Sequence, residues 1–265
     1  MASSLFPSSQ RLFVEADLEI GASVAVSAEQ AHYLLHVLRM KPGEEIRLFN
    51  GHDGEWKASL GMETKKGLMI AVEKHLREQK EEPDLWLCCA PIKKAHFDYM
   101  IEKATELGVA AIKPVLTSRA QIREVNAQRC RGIAIEAAEQ SERLNVPVIR
   151  ETMNLESFVA QWRENMATSD RRLIVCAEWG EATPVQTALK ELAKPRKGLP
   201  SNPPSAAIVT GPEGGFAAEE LALLGAIPNV VFVRLGPRIL RADTAALAAL
   251  ACWQAQCGDW LNAPA

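Results

Sequence analysis

Two stretches near the carboxy terminus decide the fold: AAIVTGPEGGF at 206–216 and VVFVRLGPRILRADTA at 230–245. Each opens with a short apolar run that reads as a strand, then breaks at a Gly-Pro turn and leads into a helix-like segment. The first turn, Thr210-Gly211-Pro212-Glu213-Gly214-Gly215-Phe216, sets three glycines around a proline. Such a turn is rigid and poor in side chains, so a ligand can approach its backbone N–H and C=O groups. The second runs from Leu235-Gly236-Pro237 through Arg241-Ala242-Asp243-Thr244 into an Ala-rich helix. In open parallel sheets ligands collect beyond the carboxyl ends of strands, which points to these two loops. As a bare pattern the first loop is neither a dinucleotide fingerprint nor a P-loop, because the glycine spacing differs and no Gly-Lys-Ser/Thr follows. A tight strand-to-helix connection explains it equally well. Asp243 is equally readable as the N-cap of the last helix, a role compatible with ligand contact.

Upstream, strand-like and helix-like segments alternate: Leu85 to Ala90, a helix through Ala95 to Leu107, Ala111 to Leu116, a helix from about Asn126 to Arg143, Leu173 to Ala177 and Val185 to Ala193. A surface loop, Lys194 to Ser205, precedes the two units quoted above. The pattern predicts an α/β domain with a mainly parallel sheet over 84–265. The charged run from Leu76 to Asp84 cannot pack into a core and predicts a domain boundary. Before it, Arg11 to Glu15, Ser23 to Val26, Glu45 to Phe49, Glu55 to Leu60 and Leu68 to Val72 read as strands of a small barrel-like domain over 1–76. Asn50-Gly51 and Asp53-Gly54 supply a hairpin loop. One helix interrupts the strands, with Ser27 and Gln30 placed for a capping box.

The 265 residues carry 30 Lys plus Arg against 33 Asp plus Glu, an ordinary globular balance that neither argues for nor excludes a nucleic-acid partner. Locally, Pro91 to Arg150 holds ten basic residues against seven acidic ones, a modest excess that solvated helix faces also explain. No apolar run reaches the roughly 18 residues needed to span a bilayer, and the first ten residues lack a signal-peptide pattern, so a cytoplasmic location is expected. The six cysteines, 88, 89, 130, 176, 252 and 257, include no C-x-x-C pair. Reduced, buried thiols are expected and a structural metal is not. His32 and His36 lie one helical turn apart without an evident third ligand, which favours packing or RNA contact.

Taken together, Gly211-Pro-Glu-Gly-Gly215 and Leu235-Gly-Pro-Arg-Ile-Leu-Arg-Ala-Asp-Thr-Ala245 resemble the ribosomal small subunit methyltransferase E family of the SPOUT superfamily, enzymes that methylate N3 of a uridine in 16S ribosomal RNA. Pro91-Ile92-Lys93-Lys94, Glu102 to Val109, Ser118-Arg119 and Glu136 to Arg143 resemble the family's central motifs, in order. Arg11-Leu12-Phe13, His36 to Met40, Gly43 and Phe49-Asn50-Gly51 resemble its RNA-binding barrel, so the likeness covers nearly the whole chain. Asp243 stands where the family usually has Glu, and Ala120 where Ser often follows the Arg.

The resemblance implies a PUA-like β-barrel followed by a SPOUT-type α/β domain with a carboxy-terminal trefoil knot, in a homodimer. Pattern reading alone predicts an unknotted sheet. Apolar positions on the last helix, Leu247, Leu250 and Trp253, suit either a dimer contact or the core. The implied methyl donor is S-adenosylmethionine, and the implied partner is 16S ribosomal RNA or the small ribosomal subunit. Thr210, Gly211, Gly214, Gly215, Leu235, Gly236, Ile239, Leu240, Ala242 and Thr244 are the candidate cofactor contacts. Uridine N3 must lose a proton, so a cation at the uracil carbonyls (Arg241 or Arg119) and a proton acceptor (Glu213 or Asp243) are the candidate catalytic groups. Arg11, Arg39, Lys93, Lys94, Arg119 and Arg143 are the candidate RNA contacts. A ribose 2′-O-methyltransferase and a non-catalytic ribosome-assembly factor are the competing readings.

Overall fold

The computed structural model describes residues 10–65, 67–165, 170–177, 182–194 and 204–261. The chain divides into two compact units, one made of 1–81 with 138–146, the other of 82–137 with 147–265. The expected division places 138–146 with the α/β part, whereas the fold groups it with the amino-terminal unit. The bulk of the loop expected at Lys194 to Ser205 lies outside the described residues.

In the first unit, β1 (Gln10–Phe13), β2 (Ser23–Ala25), helix α1 (Ala28–His32), β3 (Glu45–Phe49), β4 (Glu55–Thr64) and β5 (Gly67–Arg77) follow one another. The strands form a five-stranded sheet in the order β1-β3-β4-β5-β2. Alternation sends Ile46, Leu48, Ala58, Leu60, Leu68, Ile70 and Val72 into one core with Leu34 of the helical segment. The capping box forms as its residue types require: Ser27 Oγ accepts from Gln30 N, and Gln30 Oε1 accepts from Ser27 N, both at 3.1 Å. The helix then widens into a π-helical turn at Tyr33–Val37, a form that helical periodicity cannot announce.

The segment 138–146 is tied into this unit by a buried arginine. Arg11 is 4% exposed; its guanidinium pairs with Glu55 at 2.6 Å and donates to the carbonyls of Ala138, Glu139 and Arg143 at 2.8, 3.0 and 2.7 Å. Phe13 N completes the junction by donating to Glu139 Oε1 at 2.9 Å.

The second unit contains β6 (Leu85–Cys89), α2 (Lys94–Glu106), β7 (Ala111–Leu116), α3 (Ala127–Gln140, whose last turn belongs to the first unit), β8 (Val148–Ile149), β9 (Met153–Asn154) and α4 (Leu155–Asn165). It continues with β10 (Arg172–Cys176), β11 (Thr183–Pro184), α5 (Val185–Leu192), β12 (Ala206–Thr210), α6 (Ala218–Gly225), β13 (Val230–Arg234) and α7 (Ala242–Cys257). The sheet runs β11-β13-β10-β12-β6-β7-β8, with β9 beside β7, and every pairing is parallel. The predicted parallel α/β architecture is therefore present. Phe158, Val159 and Trp162 of α4 close one core with Cys88, Val115, Leu173, Val175 and Val209 of the strands. Leu250 and Trp253 of α7 are fully buried in the chain itself, which assigns them to core packing rather than to a dimer contact.

All six cysteines are free thiols, Cys176 and Cys252 half-buried and the rest buried. No helix among the described residues is long and apolar enough to cross a membrane.

Candidate active site

Strands β10, β12 and β13 are neighbours, so their carboxyl ends bring Cys176-Ala177, Thr210 to Phe216 and Val233 to Ala242 to one place. There they enclose a cavity of about 340 Å³, within the range of small-molecule sites. The two Gly-Pro bends form its walls. Gly215 has φ of +66° and Gly236 of +117°, backbone that a residue with a Cβ rarely adopts, so these two positions need glycine for their conformation. At Gly214 the constraint is space instead, since an added Cβ would stand 3.3 Å from Arg119 Cβ. Arg119 in turn braces the first bend, donating through Nη1 to the carbonyl of Gly214 at 2.8 Å.

The lining of this cavity mixes apolar, hydroxyl and thiol groups with backbone. The side chain of Ile239 is 73% exposed, a large apolar group on the lip that a ligand would cover. Thr210 is 2% exposed and its hydroxyl is buried with no hydrogen-bond partner among the described residues. Burial, followed by the neighbouring Cys252, pushes the Cys176 thiol up to about 12, which favours the neutral thiol over the thiolate.

Of the expected cofactor contacts, Thr210, Gly211, Gly214, Gly215, Leu235, Gly236, Ile239, Leu240 and Ala242 all line the cavity, and so do Glu213, Arg241 and Arg119. Thr244 is exposed and does not line it; the turn of α7 carries it past the wall, and Ala245 lines the cavity in its place. Asp243 does not line it either. Neither is it the N-cap, which is Arg241, with the helix beginning at Ala242. The Asp243 carboxylate is buried and engaged: Oδ1 accepts from Thr244 N at 2.7 Å, and Oδ2 lies 2.9 Å from His96 Nδ1. Burial alone would raise its pKa, but the hydrogen bonds from His96 and Thr244 outweigh it and hold the carboxyl below the ordinary aspartate value.

The expected RNA contacts divide by burial. Arg39, Lys93, Lys94 and Arg119 are exposed. Arg11 and Arg143 are buried, at 4% and 8% exposed, and Arg11 is committed to Glu55 and three carbonyls. These two are corrected from phosphate contacts to structural arginines. His32 and His36 have ring centroids 4.9 Å apart, yet the group of described residues with metal-ligating proximity is Asp17, His52 and Asp53.

The contribution of Cys176 and Ala177 escaped the sequence reading, as did the His96 partner of Asp243. The carboxyl-end rule applied equally to the strand Leu173 to Ala177, but its position between β12 and β13 is a matter of pairing, which no local pattern records.

A parallel α/β sheet with a bend-walled cleft at its carboxyl edge, cations at the rim and a separate small β unit defines a ligand-binding α/β protein, and comparison with known families gives its class, an RNA methyltransferase. The RNA methyltransferase domain family matches residues 80–254, and the RNA methyltransferase PUA domain family matches residues 26–73. Ribosomal RNA small subunit methyltransferase E of Rickettsia conorii is 32% identical over 91% of this chain and 93% of its own, and that of Synechocystis is 34% identical over 94% and 78%. Among solved structures, a methyltransferase of Legionella pneumophila in complex with S-adenosylmethionine superimposes with a TM-score of 0.79 at 30% identity, covering 96% of this chain and all of the other. The small subunit methyltransferase E of Neisseria gonorrhoeae, bound to S-adenosylmethionine, gives 0.77 at 26% identity over 95% and 99%. The chain belongs to the ribosomal RNA small subunit methyltransferase E family.

Proposed function

We propose that this chain transfers a methyl group from S-adenosylmethionine to N3 of a uridine in 16S ribosomal RNA, in the cytoplasm and as a homodimer. The observation that carries the reading is the cavity at the ends of β10, β12 and β13, walled by two bends whose glycines leave backbone groups open to a ligand. Thr210, Gly211, Gly214 and Gly215 on one side, and Leu235, Gly236, Ile239, Leu240 and Ala242 on the other, are the residues that would hold the cofactor. When bound, it supplies a methyl group on a positively charged sulfur, a carbon already activated for attack.

The chain's own task is to seat uracil in line with that carbon and to favour its anion. Arg241, on the cavity wall and exposed, is placed to stabilise charge developing on the uracil carbonyls. Glu213, exposed on the same wall, is the acceptor for the N3 proton. Asp243 acts behind the wall, holding His96 and the first turn of α7. Arg39, Lys93, Lys94 and Arg119 offer cations to RNA phosphates, so binding should weaken as salt rises. A trefoil knot belongs to the same proposal; the strand order supports it, since β13 lies beyond β10 while α7 packs back on β12 and β6.

The test is incubation of small ribosomal subunits lacking the modification with the protein and labelled S-adenosylmethionine, then mass spectrometry of the nucleosides. The expected product is 3-methyluridine. A ribose-methylated nucleoside would move the chain to 2′-O chemistry, and no transfer to subunits or naked RNA would favour an assembly factor. Sedimentation gives the oligomeric state, with a monomer at micromolar concentration contradicting the dimer.

A further inference from the structure

A second hollow in the α/β unit, about 300 Å³, is used by none of the chemistry above. It lies between α4 and the sheet, toward the amino-terminal ends of β6 and β10, where Trp86 and Arg171 stand; the register places Arg172 level with Ala206 and Ala206 level with Leu85. The cofactor cavity opens at the carboxyl ends of the strands, so the two are separate.

Strand alternation puts Lys113 on the same face of β7 as Val115, which packs in the α4 core. A lysine therefore occupies a core row. It is 6% exposed, and its Nζ makes one hydrogen bond, 2.7 Å to the neutral Oε1 of Gln161. An ammonium carries three donors, and a buried one ordinarily has an anion beside it. Burial holds Lys113 below the usual lysine range; Arg150 works in the same direction, while Cys88 and Glu151 work against it without cancelling it.

The rest of the lining is built around one indole. Asp84 fixes the ring and a cation together: its Oδ1 accepts from Trp86 Nε1 at 2.8 Å and its Oδ2 pairs with Arg171. The Arg171 guanidinium lies 3.9 Å from the Trp86 ring centroid and that of Arg150 lies 4.8 Å from it. Glu151, exposed, is the one carboxylate among the described lining residues, against the three cations Lys113, Arg150 and Arg171. Flat guanidinium and indole surfaces next to an under-neutralised cation pair match a planar base joined to a phosphate.

We propose that this hollow binds a nucleoside monophosphate unit, its phosphate on Lys113 and Arg150 and its base against the guanidinium–indole layer. The source is either a free nucleotide or one residue of an RNA strand. The site does not depend on the methyl-transfer reading, because it shares no residue with the cofactor cleft.

Calorimetry on the full-length protein tests it, with S-adenosylhomocysteine present to fill the cleft and cytidine 5′-monophosphate, inorganic phosphate and single-stranded oligocytidylate as probes. Cytidine monophosphate should bind saturably and more tightly than phosphate, and Lys113→Met and Arg150→Ala should each weaken it about tenfold or more. S-adenosylmethionine binding should be the same in all three proteins, which separates failure here from failure of the cofactor assignment. If Lys113→Met does not fold, the exposed Arg150→Ala carries the comparison. Tighter, Lys113- or Arg150-dependent binding of oligocytidylate identifies an RNA strand as the source, and equal affinity identifies the free nucleotide. The proposal is overturned by absence of cytidine monophosphate binding up to about 1 mM, by unchanged affinity in the variants, or by phosphate binding as tightly as the nucleotide.

Discussion

Glu55, 0% exposed, collects Arg11 at 2.6 Å, Arg77 at 2.8 Å and Arg47 at 3.5 Å. Burial works to raise its pKa, and the hydrogen bonds and charges of Arg77 and Arg11 overcome it, leaving the carboxyl below the usual glutamate value. A folded pKa below the unfolded one, about 4.3, means that this group's stabilisation is fully present above that value and is lost as pH falls through the lower folded one. Glu55→Gln should cost about 3 to 5 kcal/mol in urea unfolding at neutral pH, because it leaves buried guanidinium groups uncompensated, and should flatten the loss of stability in acid. Thr210 is the opposite case. Thr210→Val removes a buried hydroxyl without a partner among the described residues, so the unfolding midpoint should stay or rise, while affinity for S-adenosylmethionine, measured by calorimetry, should fall about fivefold. Residue identity misled where it was read without burial: Arg11 and Arg143 are as cationic in the sequence as Lys93 and Lys94, and only the fold shows that both are buried and that the Arg11 guanidinium holds carbonyls rather than facing water.

At the scale of elements, the long apolar strands and the capped helix were legible because alternation and capping are local physics. Glu45–Phe49 is a strand over its predicted span, and Ser27 caps as its type requires. What escaped was set by partners: the two-residue strands β8, β9 and β11, whose identity rests on pairing with β7 or β13, and helix α4, whose apolar face is defined by the sheet beneath it. The first turn of α7 shows the same dependence. Asp243 suits a cap by type, yet it sits one position inside the helix and serves His96 and Thr244 N. Asp243→Ala should therefore cost about 1 kcal/mol of stability by loss of a helix-terminal acceptor, whereas Glu213→Gln should leave stability intact and lower kcat by roughly 10²-fold or more as a lost proton acceptor. Equal effects of the two on kcat in single-turnover methyl transfer would contradict that division of roles.

For the molecule as a whole, the chain order is not the order of packing. Residues 138–146 complete the amino-terminal unit although more than fifty residues of the α/β unit precede them. Without that segment Arg11 loses the carbonyls of Ala138, Glu139 and Arg143, a loss of several charge-assisted hydrogen bonds inside a small core. A fragment ending at residue 81 should fail to fold cooperatively, seen as absent amide dispersion in NMR, whereas the same fragment supplied with a peptide spanning 138–146 should recover order. The charged run from Leu76 to Asp84 reads as the linker, and the units divide between residues 81 and 82 within it; the return of 138–146 had no sign in the sequence, because a helix continuing from one unit into another looks locally like any helix.

The claim on which the functional account rests is that the two bends after β12 and β13 hold S-adenosylmethionine. Titration calorimetry of the cofactor into the wild-type protein and Gly236→Val addresses it most directly, since the φ of +117° at Gly236 is strained for any residue with a Cβ, by about 1 to 3 kcal/mol. Wild-type protein should bind saturably and the substitution should weaken binding about tenfold or more, with the sheet still folded by circular dichroism. Wild-type protein that does not bind, or a Gly236→Val variant that binds just as tightly, would contradict it.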